Sequence, residues 1–328
     1  MRRAGVGLAW AFVVVAVIAG LGLWLTYADR RFPAAPTSVD IAPGASVDDI
    51  VGQLKDSGVV SSSRLLLFYL RAQHLTSAIQ AAAYDFPAHR TISEVAELLK
   101  AGGHPSAVWI TVPEGYTAAQ IADRLARRGL VEAPYFLFEV HSSSLTIAGA
   151  RTRGLEGYLF PDTYLVPRHT TARTIAALMT KQFLRQLPAR HVQLARRLGY
   201  KVPQIVTVAS MVEREAKVDN ERALIAAVIY NRLRRGMPLE IDATIEYALP
   251  RHKNRLSFHD LALDSPYNTY QHAGLPPTPI ANPGRKSLLA AFHPATVDYL
   301  YYVYRGGGRH QFSRTLEEQQ AAERKYLH

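Results

Sequence analysis

Residues 203–217 read PQIVTVASMVEREAK. Proline suits the first turn of a helix, and Ile205, Val208, Met211 and Val212 recur at helical spacing, which predicts a helix with one apolar face. Two glutamates stand near its end. Glu215 follows Val208, Met211 and Val212 by seven, four and three residues and shares their face, whereas Glu213 is rotated about 200° away. Only one of the two is therefore expected to look into a given cleft. Glu215 falls in the last turn, where the negative end of the helix dipole and partial burial both act to raise a carboxyl pKa. A raised pKa is what a general acid at neutral pH requires. The same spacing also suits two solvated glutamates, one of them paired with Arg214 or Lys217.

Upstream, three segments share a hydroxyl residue, an apolar residue every fourth position and a glycine: Ser46/Ile50/Leu54/Gly58, Thr91/Val95/Leu99/Gly103 and Thr117/Ile121/Leu125/Gly129. Each predicts a short helix with an N-cap and a glycine able to take the left-handed C-terminal conformation. Glu94 and Gln120, three residues after their caps, complete capping boxes. The first and third copies run on into aromatic-rich second helices, and VDIAPG and VWITVPEG are predicted strands leading into them. Ordinary core packing accounts for this spacing, but the segment also resembles, weakly, the LysM-like domains of cell-wall proteins.

From about residue 153 the composition shifts toward Tyr, Pro and Asn. GLEGYLFPDTYLVP is broken by Gly154, Gly157, Pro161 and Pro167 and reads as loop or short strands. Helices are predicted over 171–186, 203–217, 221–235 and 243–249. Residues 265–284, SPYNTYQHAGLPPTPIANPG, form a connection far longer than usual, and its aromatic content points to function rather than disorder. KSLLAAFH reads as a helix, DYLYYVYR and HQFSR as a hairpin across GGG, and the final stretch as a charged helix. The LYYVY run at 300–304 reads as an ordinary half-buried strand.

Residues 4–28 carry no charged side chain, long enough as a helix to cross about 30 Å of hydrocarbon, with Trp24 and Tyr27 at an interface position. A transmembrane helix is expected there; a cleaved signal peptide would have a shorter apolar core. Arg2 and Arg3 before it are balanced by Arg30 and Arg31 after it, so charge does not set its orientation. The net charge of +11 favours anionic partners, yet the arginines are scattered over helix faces without a nucleic-acid motif, and no nucleic acid is expected. The absence of cysteine fits either redox compartment.

There is no H-E-x-x-H, G-x-S-x-G or Walker loop, so metalloprotease, α/β-hydrolase and nucleotide chemistry lack their parts, and neither metal nor cofactor is expected. His259 beside Asp260 does not make a triad, since adjacent residues point apart and no activated serine is evident. Carboxylates that could accompany Glu215 are Glu156, Glu240, Asp242 and Glu246.

VPEGYT, LEGYLFPDTY, ASMVEREA, VIYNRL, GMPLEIDATIEYAL, the 265–284 loop and LLAAFHPATVDYLYYV occur in the order found in the bacterial endolytic murein transglycosylases of the YceG-like family, which the chain resembles from about residue 112 onward. The resemblance implies an α+β protein in three parts: 1–31 as cytoplasmic tip and transmembrane helix, 32–110 as linker and LysM-like α/β module, and 111–328 as a mixed α+β catalytic domain with a long substrate loop. It implies a single-pass inner-membrane enzyme, its catalytic domain outside the cytoplasm, that cuts the glycan strands of nascent peptidoglycan internally, with peptidoglycan synthases as expected partners. Glu215 falls on the family's catalytic glutamate; Arg214, Ala216 and Glu240 stand where Lys, Thr and Gln are frequent. Glu156, Tyr158, Asp242, Asn268 and Tyr270, placed in the matching motifs, are expected to bind substrate. Two other readings stay open: a lysozyme-like hydrolase with Asp242 or Glu156 as second carboxylate, and a non-catalytic wall-binding scaffold.

Overall fold

The computed structural model describes residues 13, 15–20, 36–88, 90–104, 106–187, 189–250, 253 and 256–327. The transmembrane helix expected at the N-terminus is corrected: among the described residues no helix is long and apolar enough to cross a membrane. Residues 15–20 are helical and exposed. Apart from residue 13, the remainder of 1–31, including Trp24 and Tyr27, lies outside the described residues. The inner-membrane placement that rested on this helix is without support.

The chain divides into two compact units, one reaching Ala107 and including residues 167–169, the other comprising the rest. In the first, strand β1 (Thr37–Asp40) pairs antiparallel with β2 (Ala83–Phe86), and helices α1 (Val47–Asp56), α2 (Ser63–Ala72) and α3 (Ile92–Ala101) complete it. Its core gathers Val39, Ile50, Leu54, Leu66, Leu70, Phe86, Val95 and Leu99. Ser46 and Thr91 cap α1 and α3 as expected, and Asp49 closes a capping box on Ser46 that sequence reading had not assigned. Gly58 is left-handed at φ 69°, but in the second copy it is Gly102, φ 85°, that turns the chain. Gly103 serves closeness instead, because a Cβ there would stand 2.3 Å from the Ala83 carbonyl. Arg90 is fully buried and donates to the Val59 and Phe86 carbonyls at 3.2 Å.

The second unit is mixed α+β. Strand β3 (Ala107–Thr111) leads into α4 (Ala118–Arg127) and α5 (Ala133–Ser142) and pairs with β6 (Thr163–Pro167), after the small hairpin β4 (Thr146–Ile147) and β5 (Ala150–Arg151). Then come α6 (Ala172–Arg185), α7 (Ala189–Leu198), α8 (Val202–Glu215), a 3-10 turn at Asp219–Glu221, α9 (Arg222–Arg234), α10 (Asp242–Ala248), the one-turn α11 (Phe258–Leu261) and α12 (Arg285–Phe292). Hairpin β7 (Tyr301–Gly306) and β8 (Arg309–Ser313) and helix α13 (Leu316–Tyr326) close it. Helix α7 is missing from the sequence reading, because Arg190, Arg196 and Arg197 mask the shallow apolar row of Val192, Ala195 and Leu198 that packs on the core.

Helix α8 is the centre of this unit, packed by α7, α9, α10 and α12. The sequence predicted one apolar face, whereas every residue from Ile205 to Val212 is buried. Polar residues inside such a helix need partners. Thr207 donates to the Pro203 carbonyl at 3.1 Å, and Ser210 donates to the Thr207 carbonyl at 2.7 Å while accepting from Ile280 N–H at 3.0 Å. The small pair Ala209–Ser210 thus lets the 265–284 loop close onto the helix.

Gly157 shows how tightly that loop seats. Its φ is 89°, and a Cβ would stand 2.4 Å from the Pro279 ring. Gly157→Ala is expected to cost about 3 kcal/mol through strain and overlap together, read as a lower denaturant midpoint at unchanged slope.

Candidate active site

An open groove of about 1180 Å³ runs across the second unit, and Glu215, the last residue of α8, lies in it. Tyr302, from β7, donates its hydroxyl to Glu215 Oε2 at 3.1 Å. Among the described residues no other group hydrogen-bonds this carboxyl, which leaves Oε1 for a ligand. Burial pushes the Glu215 pKa from the ordinary 4.5 up to about 7; the Tyr302 hydroxyl pulls it down, and the charges of Asp242 and Glu246 push it further up. Burial and the Glu215 charge together raise the Tyr302 phenol well above its usual value, so it stays a donor.

Asp242 opens α10 and lines the same groove, accepting from the Tyr270 hydroxyl at 2.6 Å. Arg214 donates to Glu246 at 2.9 Å, which ties the end of α8 to α10. At the other end of the groove Glu213 accepts from Arg222 at 3.1 Å and from Gly284 N–H at 2.9 Å. Beside it, Glu114 has its pKa raised by burial first and by Glu213 second. Both helix glutamates line one groove, although their rotation about the helix axis predicted that only one would, because α8 ends there. Glu213 is ion-paired with Arg222, whereas among the described residues Glu215 has no ion-pair partner.

Of the residues predicted for substrate, the structure brings Asp242 and Tyr270 to Glu215 and places Glu156, Tyr158 and Asn268 elsewhere. Glu156 is buried, accepts from Ala118 N–H at 3.0 Å on both oxygens and so caps α4 from 38 positions downstream. Asn282 Nδ2 and the Tyr247 hydroxyl also donate to it, at 2.9 and 3.3 Å. Burial lifts its pKa to about 7 against these donors. Tyr158 is packed edge-on against Phe183 in the core. Asn268 is fully buried, donates to the Leu261 and Leu263 carbonyls at 3.0 and 2.8 Å and accepts from Tyr270 N–H at 3.0 Å, so it shapes the loop that presents Tyr270.

Two residues escaped the sequence reading. Tyr302 sits on the strand taken as ordinary half-buried sheet; alternation along a strand shows which residues are buried but not what a buried hydroxyl meets. Asn282, also fully buried, accepts from Gly157 and Leu159 N–H at 2.9 and 2.8 Å and donates to the Tyr116 carbonyl at 2.9 Å. Its position in a 20-residue loop full of prolines and glycines was the available signal.

Among the described residues no group of His, Asp and Glu is arranged to hold a metal ion. The site is thus one carboxyl near neutrality, a phenol that orients it, and an Asp–Tyr pair alongside. Such a set can donate and take back a proton at one atom.

Over 306 residues the chain is 32% identical to the endolytic murein transglycosylase of Bacillus subtilis (strain 168), covering 88% of this chain and 84% of that protein. It is 30% identical to the endolytic murein transglycosylase of Streptococcus pneumoniae serotype 2, covering 81% of this chain and 54% of that longer protein. A crystal structure of a YceG-like protein from Listeria monocytogenes superposes with a TM-score of 0.59 at 30% identity, over 88% of this chain and 99% of that one. With residues 39–325 matching the family throughout, the chain belongs to the YceG-like family.

Proposed function

We propose that the protein is an endolytic murein transglycosylase, cutting the β-1,4 bond between N-acetylmuramic acid and N-acetylglucosamine within peptidoglycan strands, with Glu215 as acid and then base. The observation that carries this reading is a carboxyl held near pH 7 in a long open groove, with one oxygen oriented and the other free. A transglycosylase needs no second carboxylate to activate water. Protonated Glu215 gives its proton to the glycosidic oxygen as the anomeric C–O bond breaks. The C6 hydroxyl of the same muramic acid residue then bonds to the anomeric carbon and loses its proton to the Glu215 carboxylate. The enzyme returns to its starting state, the product ends in a 1,6-anhydro ring, and no water is consumed. Asp242, fixed by Tyr270, stabilises the oxocarbenium charge that develops between these steps. Glu156, Asn268 and Asn282 act from behind, as anchors of the loop. The first unit, with its own core, we assign to wall attachment as a LysM-like module.

Asp242 in the same groove also suits a lysozyme-like hydrolase, in which it would activate water. Mass spectrometry of glycan fragments released from purified peptidoglycan by the full chain separates the two. Anhydro ends are expected. Reducing ends would replace this reading by hydrolysis, and sedimentation with the wall without any product would replace it by a binding protein.

Tyr302 gives the proposal a finer test. Its hydroxyl lowers the Glu215 pKa, so Tyr302→Phe is expected to move the alkaline limb of the kcat/KM profile upward by about one pH unit, since a hydrogen bond to a charged group is worth about 1.5–3 kcal/mol. A roughly tenfold lower kcat from the unanchored acid should accompany it. An unshifted limb would remove Tyr302 from the site.

A further inference from the structure

Apart from the groove, the second unit has a small cavity of about 100 Å³ where the end of α6 meets the starts of α7 and α12, lined by Arg185, Gln186, Arg190, His191 and Arg285 with Leu288 and Leu289. We propose that this cavity is a binding site for a phosphate group, held by Arg185, Arg190 and Arg285 around His191.

The charge placement is the first ground. Arg190 and His191 lie in the first turn of α7, and Arg285 and Lys286 in the first turn of α12, and neither turn contains an acidic residue. Helix dipoles disfavour cations at N-termini, and first-turn N–H groups lack intrahelical acceptors, so two such starts pointing cations at one cavity are destabilising until an anion arrives. Glu213 answers part of the positive end of α12 through Gly284 N–H, yet it lines the groove and not this cavity. No carboxylate lines the cavity among the described residues, and Arg185 donates only to the neutral Gln182, at 3.2 Å.

The second ground is His191. It is 4% exposed, lines the cavity, stacks on Phe292 with ring centroids 4.7 Å apart, and has no hydrogen-bond partner on either nitrogen. A buried imidazole without partners is costly unless a ligand supplies one. Burial, then Arg190 and His293, hold its pKa down, opposed by the Gln186 backbone carbonyl, which lies near the ring but outside hydrogen-bond geometry, so a neutral ring presents one donor and one acceptor. A phosphate monoester suits this set, since its oxygens can take guanidinium forks on several sides at once and accept the ring N–H, and the P–O–H of its monoanion can face the ring acceptor. The cavity admits the head group but not a sugar ring, so whatever carries the phosphate must extend outward into solvent.

The test is calorimetric titration of the full chain with inorganic phosphate at pH 7 and constant ionic strength, beside Arg190→Gln/Arg285→Gln and His191→Gln. Saturable binding is expected, weakened at least tenfold in the double variant and less in His191→Gln, with unchanged murein cleavage and unchanged melting in phosphate-free buffer for the double variant, whose side chains are exposed. Phosphatidic acid vesicles, against phosphatidylcholine vesicles, identify the source. Binding to them that free phosphate competes away and the double variant loses supports the site and assigns it to a lipid head group; binding of free phosphate alone supports it and assigns it to a soluble phosphate. Unsaturable heats, equal affinity in the double variant, or equal affinity for acetate would overturn the proposal.

Discussion

Glu215→Gln is expected to reduce release of anhydro-ended fragments by about 10³-fold or more, since the amide can neither give nor take the proton and general acid–base catalysis by one group is worth roughly 10²–10⁴. The same replacement should make the protein more stable above neutrality. A carboxyl whose folded pKa lies near 7 instead of 4.5 is harmless to the fold below about pH 4.5, and its stabilising protonated form is lost as the pH rises through 7. The full difference corresponds to roughly 3 kcal/mol. Because the carboxyl opens onto the groove, about 1 kcal/mol is expected at pH 8, a rise of a few degrees in Tm. Glutamine does not titrate, so the gain should vanish at pH 4. A variant that loses activity and also melts lower at pH 8 would mean that Glu215 supports the fold and is not a strained acid.

Arg232→Ala is expected to cost about 3–5 kcal/mol and to lower kcat together with stability. Its side chain is only 9% exposed and joins three segments. Nε donates to the Leu300 carbonyl at 2.7 Å, one η nitrogen donates to the Pro238 and Leu239 carbonyls at 3.0 Å and to Glu240 at 2.8 Å, and the guanidinium covers the Tyr301 ring at 5.0 Å. Removing it leaves buried carbonyls without donors and Glu240, already left-handed at φ 54°, without its counter-charge. Leu300 and Tyr301 lead directly to Tyr302, and residues 238–240 lead directly to Asp242. Urea unfolding and kcat at matched folded fraction check both effects. A variant that unfolds early but shows full kcat when folded would confine Arg232 to stability.

The parts of this fold that sequence made legible are those with local causes. Caps at Ser46, Thr91, Thr117 and Thr171 act within three or four residues, and the helices they open follow at once. Glu156 is also a cap, but it caps α4 from a distant loop, so no spacing rule could separate it from a substrate ligand. Asn282 and Asn268 are similar: buried amides that serve backbone groups brought near only by folding. Helical periodicity singled out Glu215, which lines the groove, yet it set Glu213 apart from it, because rotation about an axis ceases to separate side chains where the helix stops. The strand reading of residues 300–304 held for its backbone, and Tyr302 was missed because its partner is 87 positions away.

Glu215 rides on the helix whose every flank from Ile205 to Val212 is covered, whereas Asp242, Tyr270 and Tyr302 come from a short helix, a loop and a hairpin turned by three glycines, each at positive φ. Protection from hydrogen exchange should be graded accordingly, with the amides of α8 slowest and the opposite wall opening first. A polymer with no free end at hand can then be admitted sideways by a fluctuation of that wall while Glu215 keeps its place. The division between a still floor and a breathing wall would make strand entry, rather than bond breaking, the step that solvent viscosity slows.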